Sequence, residues 1–175
     1  MNNNNMRCEL LEKLRGGDLR SIGKVDFIVN EIKSQNDFDV LFHYLYSCDR
    51  LIVMRTADAI EKITAKHVDF LCGHKEEIFA FCERADNIEF KWHLALLLPR
   101  LSFTENEYTK AIAILSSWLR DPKESKIVRT NSLQALFELS KYNIMIRQEL
   151  DHIVRAIEKE DVPSLLARIR KIRRK

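Results

Sequence analysis

Three stretches decide the fold: Asp49-Arg-Leu-Ile-Val-Met-Arg-Thr-Ala-Asp-Ala-Ile-Glu-Lys-Ile63, Asn87-Ile-Glu-Phe-Lys-Trp-His-Leu-Ala-Leu-Leu-Leu-Pro-Arg-Leu101 and Ser125-Lys-Ile-Val-Arg-Thr-Asn-Ser-Leu-Gln-Ala-Leu-Phe-Glu-Leu139. Each follows the one before by 38 residues without a gap. They open on Asp49, Asn87 and Ser125, residue types whose side chains accept a hydrogen bond from a free amide at a helix start. Three residues on, Ile52, Phe90 and Val128 are apolar; the pairs Ala59/Ile60, Leu97/Leu98 and Ala135/Leu136 follow, then Ile63, Leu101 and Leu139. Steps of three and four residues place these side chains on one face of a helix.

The pattern extends outward from these copies. A fainter one runs through Ile22, Val25, Ile28, Val29 and Ile32, and a last one through Val162–Ile172, where Leu165, Leu166, Ile169 and Ile172 form the stripe. End copies diverge because a terminal repeat has one side open to water. Other helices are predicted in between. Phe38–Tyr46 follows Asp37, His74–Ala85 follows a short turn at Lys66–Cys72 that Gly73 ends, and Asn143–Glu160 carries its own stripe. Thr104-Glu-Asn-Glu107 is a capping-box pattern that starts a helix facing inward with Tyr108, Ala111, Ile112, Leu115, Trp118 and Leu119. The joints Cys48-Asp49, Ala85–Asn87, Leu101–Thr104 and Arg120–Ser125 are short, so neighbouring helices must run antiparallel. Pro99 removes an amide and ends or kinks the helix before it. The expectation is an all-α chain, a right-handed α-α superhelix of about four helical hairpins. It forms one domain over residues 7–175, behind an Asn-rich, disordered segment at 1–6.

Composition agrees. Four Gly and three Pro in 175 residues are too few for the many turns of a sheet protein. The six cations Arg168, Arg170, Lys171, Arg173, Arg174 and Lys175 crowd the C-terminal end; taking them from the 29 basic residues leaves 23 against 26 acids, a body near −3. A chain that wraps nucleic acid carries its basic excess across the binding surface, and this body does not. Cations that close a helix also satisfy its dipole. The Asn run is no signal peptide, and the longest apolar run, at Leu94–Leu98, is far short of the ~20 residues that span a bilayer. Cys8, Cys48, Cys72 and Cys82 show no disulfide-framework spacing, so reduced thiols in a cytoplasmic protein are expected, with no membrane association.

Val128-Arg129-x-x-Ser132-Leu133-x-Ala135-Leu136-x-x-Leu139 resembles the second helix of a HEAT repeat, and Phe90-Lys91-x-x-Leu94-Ala95-x-Leu97-Leu98-x-x-Leu101 matches the same pattern. The Ile52–Ile63 copy departs from it, with Val53 where the pattern takes a basic residue and Arg55 two positions on. The period is slightly short for the family, and the outer helices lack its usual proline. The likeness covers residues 18–172. It implies an armadillo/HEAT-like architecture in which Lys91 and Arg129 tie adjacent repeats together, and it leaves function open, because this fold hosts many tasks.

Four kinds of chemistry can be set against these residues. His67, Cys72, His74 and Cys82 form no pair of tight zinc-ligand spacings, Cys72-Gly-His74 having one residue between its ligands, so no metal is expected. Asp58 with Glu61, and Glu76 with Glu77, read as solvated helix faces. There is no nucleophile elbow, phosphate loop or zinc-protease helix, so neither an enzyme nor a cofactor is expected. HEAT-like alkylpurine DNA glycosylases grip a lesion with Trp, Asp and Arg or Lys. Trp92, Asp58, Arg55, Lys91 and Arg129 could be cast in those roles, so a nucleic-acid binder or glycosylase is the alternative. The favoured reading is a non-catalytic scaffold or adaptor that holds a protein or peptide along a concave face. Its candidate residues are Arg55, Asp58, Lys62, Trp92, Leu96, Arg100, Gln134 and Phe137. Trp92 and Leu96 make the middle helix apolar nearly all round, which leaves two readings: packing on flanking repeats, or an exposed apolar patch with Phe137.

Overall fold

The computed structural model describes residues 3–15, 25–141 and 143–174. Every regular element among them is helical: α1 (Asn3–Leu14), α2 (Val25–Glu31), α3 (Gln35–Phe42), α4 (Arg50–Thr64), α5 (Lys75–Arg84), α6 (Ile88–Leu97), α7 (Glu105–Arg120), α8 (Lys126–Ser140), α9 (Ile144–Glu158) and α10 (Pro163–Arg173). Short 3₁₀ turns at His43–Tyr46, Val68–Leu71 and Leu98–Arg100 follow α3, α4 and α6. No helix among the described residues is long and apolar enough to cross a membrane.

The three aligned starts are three capped helices. Asp49 Oδ1 accepts from Leu51 N at 2.9 Å, Asn87 Oδ1 from Phe90 N at 2.8 Å, and Ser125 Oγ from Val128 N at 3.3 Å. At α7 the capping box is closed on both sides, with Thr104 N donating to Glu107 Oε2 at 2.7 Å and Glu107 N donating to Thr104 Oγ1 at 3.4 Å. One start differs. The helix expected after Asp37 begins at Gln35, because Ser34 is the cap and Asp37 its third-residue partner; Ser34 N donates to Asp37 Oδ2 at 3.0 Å. Its last turn tightens into the 3₁₀ segment His43–Tyr46. Pro99 ends α6 as expected, lying in the 3₁₀ turn that follows it.

The chain divides into two compact units, Met1–His74 and Lys75–Lys175, where the sequence reading takes residues 7–175 as one domain. In a stack of repeats each hairpin touches only its neighbours, so a run of hairpins closes a core of its own.

In the first unit α1 pairs with α2 and α3 with α4, and α2 packs along α4. Leu10, Leu14, Val25, Ile28, Phe38, Leu41, Ile52 and Ile60 fill its core. Residues 3–6, expected to be disordered, stand in α1. That helix escapes a periodicity search because its sequence, Asn3–Leu14, holds few apolar residues; Leu10 and Leu14 are buried. Met1, Asn2, Gly16-Gly17 and Ile22 lie outside the described residues.

In the second unit the hairpins are α5–α6, α7–α8 and α9–α10. The second helices lie side by side, α8 between α6 and α10, with α7 and α9 on its outer side. Two hairpins in one unit and three in the other compare with the four or so expected; the additional helix is α1, since α2 is the faint copy expected through Val25, Ile28 and Val29. The buried faces are those of the repeat: Phe90, Leu94, Leu97 and Leu98 in α6 and its turn, then Val128, Leu133, Ala135, Leu136 and Leu139 in α8.

Candidate binding face

The second helices, with the turn that follows α6, carry the eight candidate residues, three in the first unit and five in the second. Arg55, on α4, is not a surface group: it is 1% exposed. Its Nη1 donates to the carbonyls of Leu14 at 2.8 Å and Arg15 at 3.1 Å. Those carbonyls belong to the end of α1, where a helix leaves acceptors without intrahelical donors and where a cation suits the dipole. Arg55 therefore caps a neighbouring helix, and it offers a ligand nothing.

Asp58 and Lys62 lie a turn apart on α4, both half-buried, with Lys62 Nζ 3.2 Å from Asp58 Oδ2 and 2.9 Å from Asp26 Oδ1 on α2. Burial alone would lower the Lys62 pKa, but the hydrogen bonds and charges of Asp26 and Asp58 raise it above its ordinary value. This triad ties α2 to α4 across neighbouring hairpins.

In the second unit the face is continuous. Trp92 and Leu96 on α6 are half-buried, whereas Phe90, Leu94, Ala95 and Leu97 of the same helix are buried. Asn131 on α8 donates to the Trp92 carbonyl at 3.5 Å. Gln134 is held from both ends, its Nε2 donating to Glu138 at 2.7 Å and its Oε1 accepting from Arg168 Nη1 of α10 at 3.0 Å. Phe137 is half-buried with Lys141 Nζ 5.3 Å from its ring centre, and Arg100 is half-buried in the turn after α6. The structure thus brings Trp92, Leu96, Gln134 and Phe137 onto the adjoining helices α6 and α8. It adds two side chains that the sequence reading missed, Asn131 and Arg168. Arg168 had a signal: it stands 34 residues after Gln134, close to one repeat.

Lys91 and Arg129 serve the architecture. Lys91 pairs with Glu124, just ahead of the α8 cap. Arg129, one repeat on, pairs with Glu160, just ahead of α10, and its Nε donates to the Leu119 carbonyl at 2.9 Å. Each base reaches from a second helix to an acid at the start of the next repeat's second helix.

Of the four candidate metal ligands, His67, His74 and Cys82 are engaged otherwise. Cys82 is buried, and desolvation, with Glu83 adding to it and Lys110 opposing, pushes its thiol up to about 12. His74 Nε2 lies 2.9 Å from Asp39 Oδ1 while its ring stacks on Phe42 at 3.8 Å, and the His67 ring stacks on Phe70. Cys72 is exposed.

A family model described as a HEAT repeat domain matches residues 12–175. Comparison with curated proteins and with solved structures gives no match.

Proposed function

We propose, from the premise that this chain belongs to the HEAT repeat domain family, that it is a non-catalytic, cytoplasmic scaffold that binds a protein or peptide along the face formed by α6, α8 and α10. One observation carries the reading: Trp92 and Leu96, four residues apart on a helix whose Phe90, Leu94 and Leu97 are buried, keep part of their surface in water. An aromatic and an aliphatic group adjoining a polar row that includes Gln134 and Arg168 have the make-up of an interaction face, with an apolar centre and a polar rim. Burying Trp92 and Leu96 in a partner would contribute roughly 3–5 kcal/mol before the costs of association. Arg55 has no part in it, and Lys91 and Arg129 are occupied within the stack, which removes three of the five side chains that the nucleic-acid alternative needs.

The test compares wild type with Trp92→Ala in quantitative affinity capture from native lysate, with circular dichroism to confirm folding. Partners should be lost with Trp92→Ala; unchanged capture removes this face. A duplex-DNA gel-shift series in rising salt addresses the alternative. A shift at low salt that fades steeply would restore it.

A further inference from the structure

Helix α10 has two chemically different sides. Leu165 and Ile169 are buried, and Ile169, Ile172 and Arg173 line the cavity between α8, α9 and α10. Pro163, Ala167, Arg170, Lys171 and Arg174 are exposed, and their steps of three and four residues put them on one outward face. No acid occurs between Pro163 and Arg173.

The neighbouring helices do not balance this charge. Arg173 pairs with Glu158, and the charge of Asp151 acts on the same guanidinium. On α8, Glu138 pairs with Lys141, while Arg168 donates to Gln134. Glu149 and Glu160 are matched to Arg120 and Arg129 of α7 and α8. In α9, α10 and their joint, Arg147, Arg155, Lys159, Arg170, Lys171 and Arg174 make no ion pair among the described residues. The acids left to set against those six are two, Asp151 and Asp161, so an excess of four cations stands even with both credited in full. The half-charge at a helix C-terminus offsets a fraction of one of them. Arg170 and Arg174, a turn apart, repel each other, and nothing within the chain relieves them.

Length and composition indicate which anion fits. Arg170 to Arg174 covers about 6 Å of helix at 1.5 Å per residue. An extended chain advances up to about 3.5 Å per residue, so a run of two or three acidic residues spans the same distance. A nucleic-acid duplex carries a charge about every 1.7 Å and continues past both ends of the face, while the charges of the chain outside its six C-terminal cations sum to near −3. No Phe, Tyr or Trp occurs from Asn143 to Lys175, so nothing here stacks on bases. The outward face holds no large apolar side chain to enter a lipid surface.

We infer that the outward face of α10 docks a short acidic run of a protein partner, with Asp or Glu carboxylates against Arg170, Lys171 and Arg174. The inference shares with the proposed function the premise of a protein partner and uses a face other than that of Trp92.

Fluorescence anisotropy of a labelled Asp- and Glu-rich peptide of about twelve residues, at about 0.15 M salt, compares four proteins. They are wild type, Arg170→Ala/Lys171→Ala/Arg174→Ala, a control that removes equal charge from exposed lysines (Lys33→Ala/Lys66→Ala/Lys123→Ala), and Trp92→Ala. All six substituted cations are exposed, and circular dichroism checks that each variant folds. The peptide should bind wild type, the control and Trp92→Ala alike and lose at least tenfold on the α10 variant. The same peptide with Asn and Gln in place of Asp and Glu should not bind. No binding to wild type, equal loss in the control, or an α10 variant within twofold of wild type overturns the inference and leaves the Trp92 face to its own capture experiment. Labelled duplex DNA that binds wild type more tightly than the peptide does, and is lost on the α10 variant, assigns the face to nucleic acid and overturns it as well.

Discussion

Arg129 Nη2 lies 2.7 Å from Glu160 Oε2, and the arginine side chain is 3% exposed. The same guanidinium donates through Nε to the Leu119 carbonyl at the end of α7, so one side chain joins the first helix of its own hairpin to the entry of the next. Truncation leaves that carbonyl without its donor and opens space in the core, whereas Glu160, a third exposed, can return to water. Arg129→Ala should therefore cost about 2–4 kcal/mol, read as a lower urea midpoint. Glu160→Gln, which keeps an acceptor in place, should cost under about 1 kcal/mol. Equal losses from the two would show that the ion pair, and not the carbonyl, carries the contribution.

Arg55 makes the corresponding contact in the first unit, where it holds the end of α1. Arg55→Ala should destabilise by about 2–4 kcal/mol, from the lost charged hydrogen bonds and the cavity. Amide hydrogen exchange should rise first along α1. A variant as stable as wild type, with α1 protection unchanged, would contradict the capping role and return Arg55 to the list of surface candidates.

The difference between Arg55 and its neighbours shows what the sequence could convey. Asp49, Asn87 and Ser125 were legible as caps because a cap is a contract between residues two or three apart, and its chemistry travels with the local sequence. The 38-residue recurrence made the stacked architecture legible for the same reason: every copy repeats its own face. Arg55 sits on that face, but its fate depends on α1, a helix with too few apolar residues to announce itself. The cavity between α8, α9 and α10 depends on how far those helices stand apart, which no single helix encodes. Trp92 and Leu96 were legible as unusual, and the structure leaves them half-covered, which is why the function rests on a binding experiment.

Thiol chemistry offers a simple check of the second core. Cys8, Cys48 and Cys72 are exposed and Cys82 is buried, with its thiol held near 12 chiefly by desolvation. A disulfide reagent near pH 8 should titrate three thiols rapidly in the native protein and the fourth only in denaturant, since the thiolate is the reactive form. Four rapid equivalents would mean that α5 opens readily or that Cys82 is not in the core.

Acid should loosen the α5–α7 corner through Glu107. Its carboxyl is brought down from 4.5 to about 2, first by the hydrogen bond from Lys75 and then by the Thr104 backbone amide. Lys75 Nζ stands 2.8 Å from Glu107 Oε2 and also donates to the Ser102 carbonyl at 3.3 Å. Between these two pKa values the unfolded chain binds the proton more readily than the folded one, so stability rises with pH across that window. The contribution is complete above the unfolded value and is lost as pH falls through the folded one. Glu107→Gln keeps an acceptor for Thr104 but gives Lys75 no charge. Wild type should therefore exceed it in urea midpoint at about pH 6, and the gap should close as the pH approaches about 2. Because the pair is solvent-facing, about 1 M salt should shrink the gap at neutral pH as well. Glu158, lowered in the same direction by Arg173, leaves a residual acid slope in both proteins, so the informative quantity is the difference between them. A gap that stays constant from about pH 6 to about pH 2 would assign the Glu107 contribution to its neutral hydrogen bond with the α7 cap and remove the charge of Lys75 from the account.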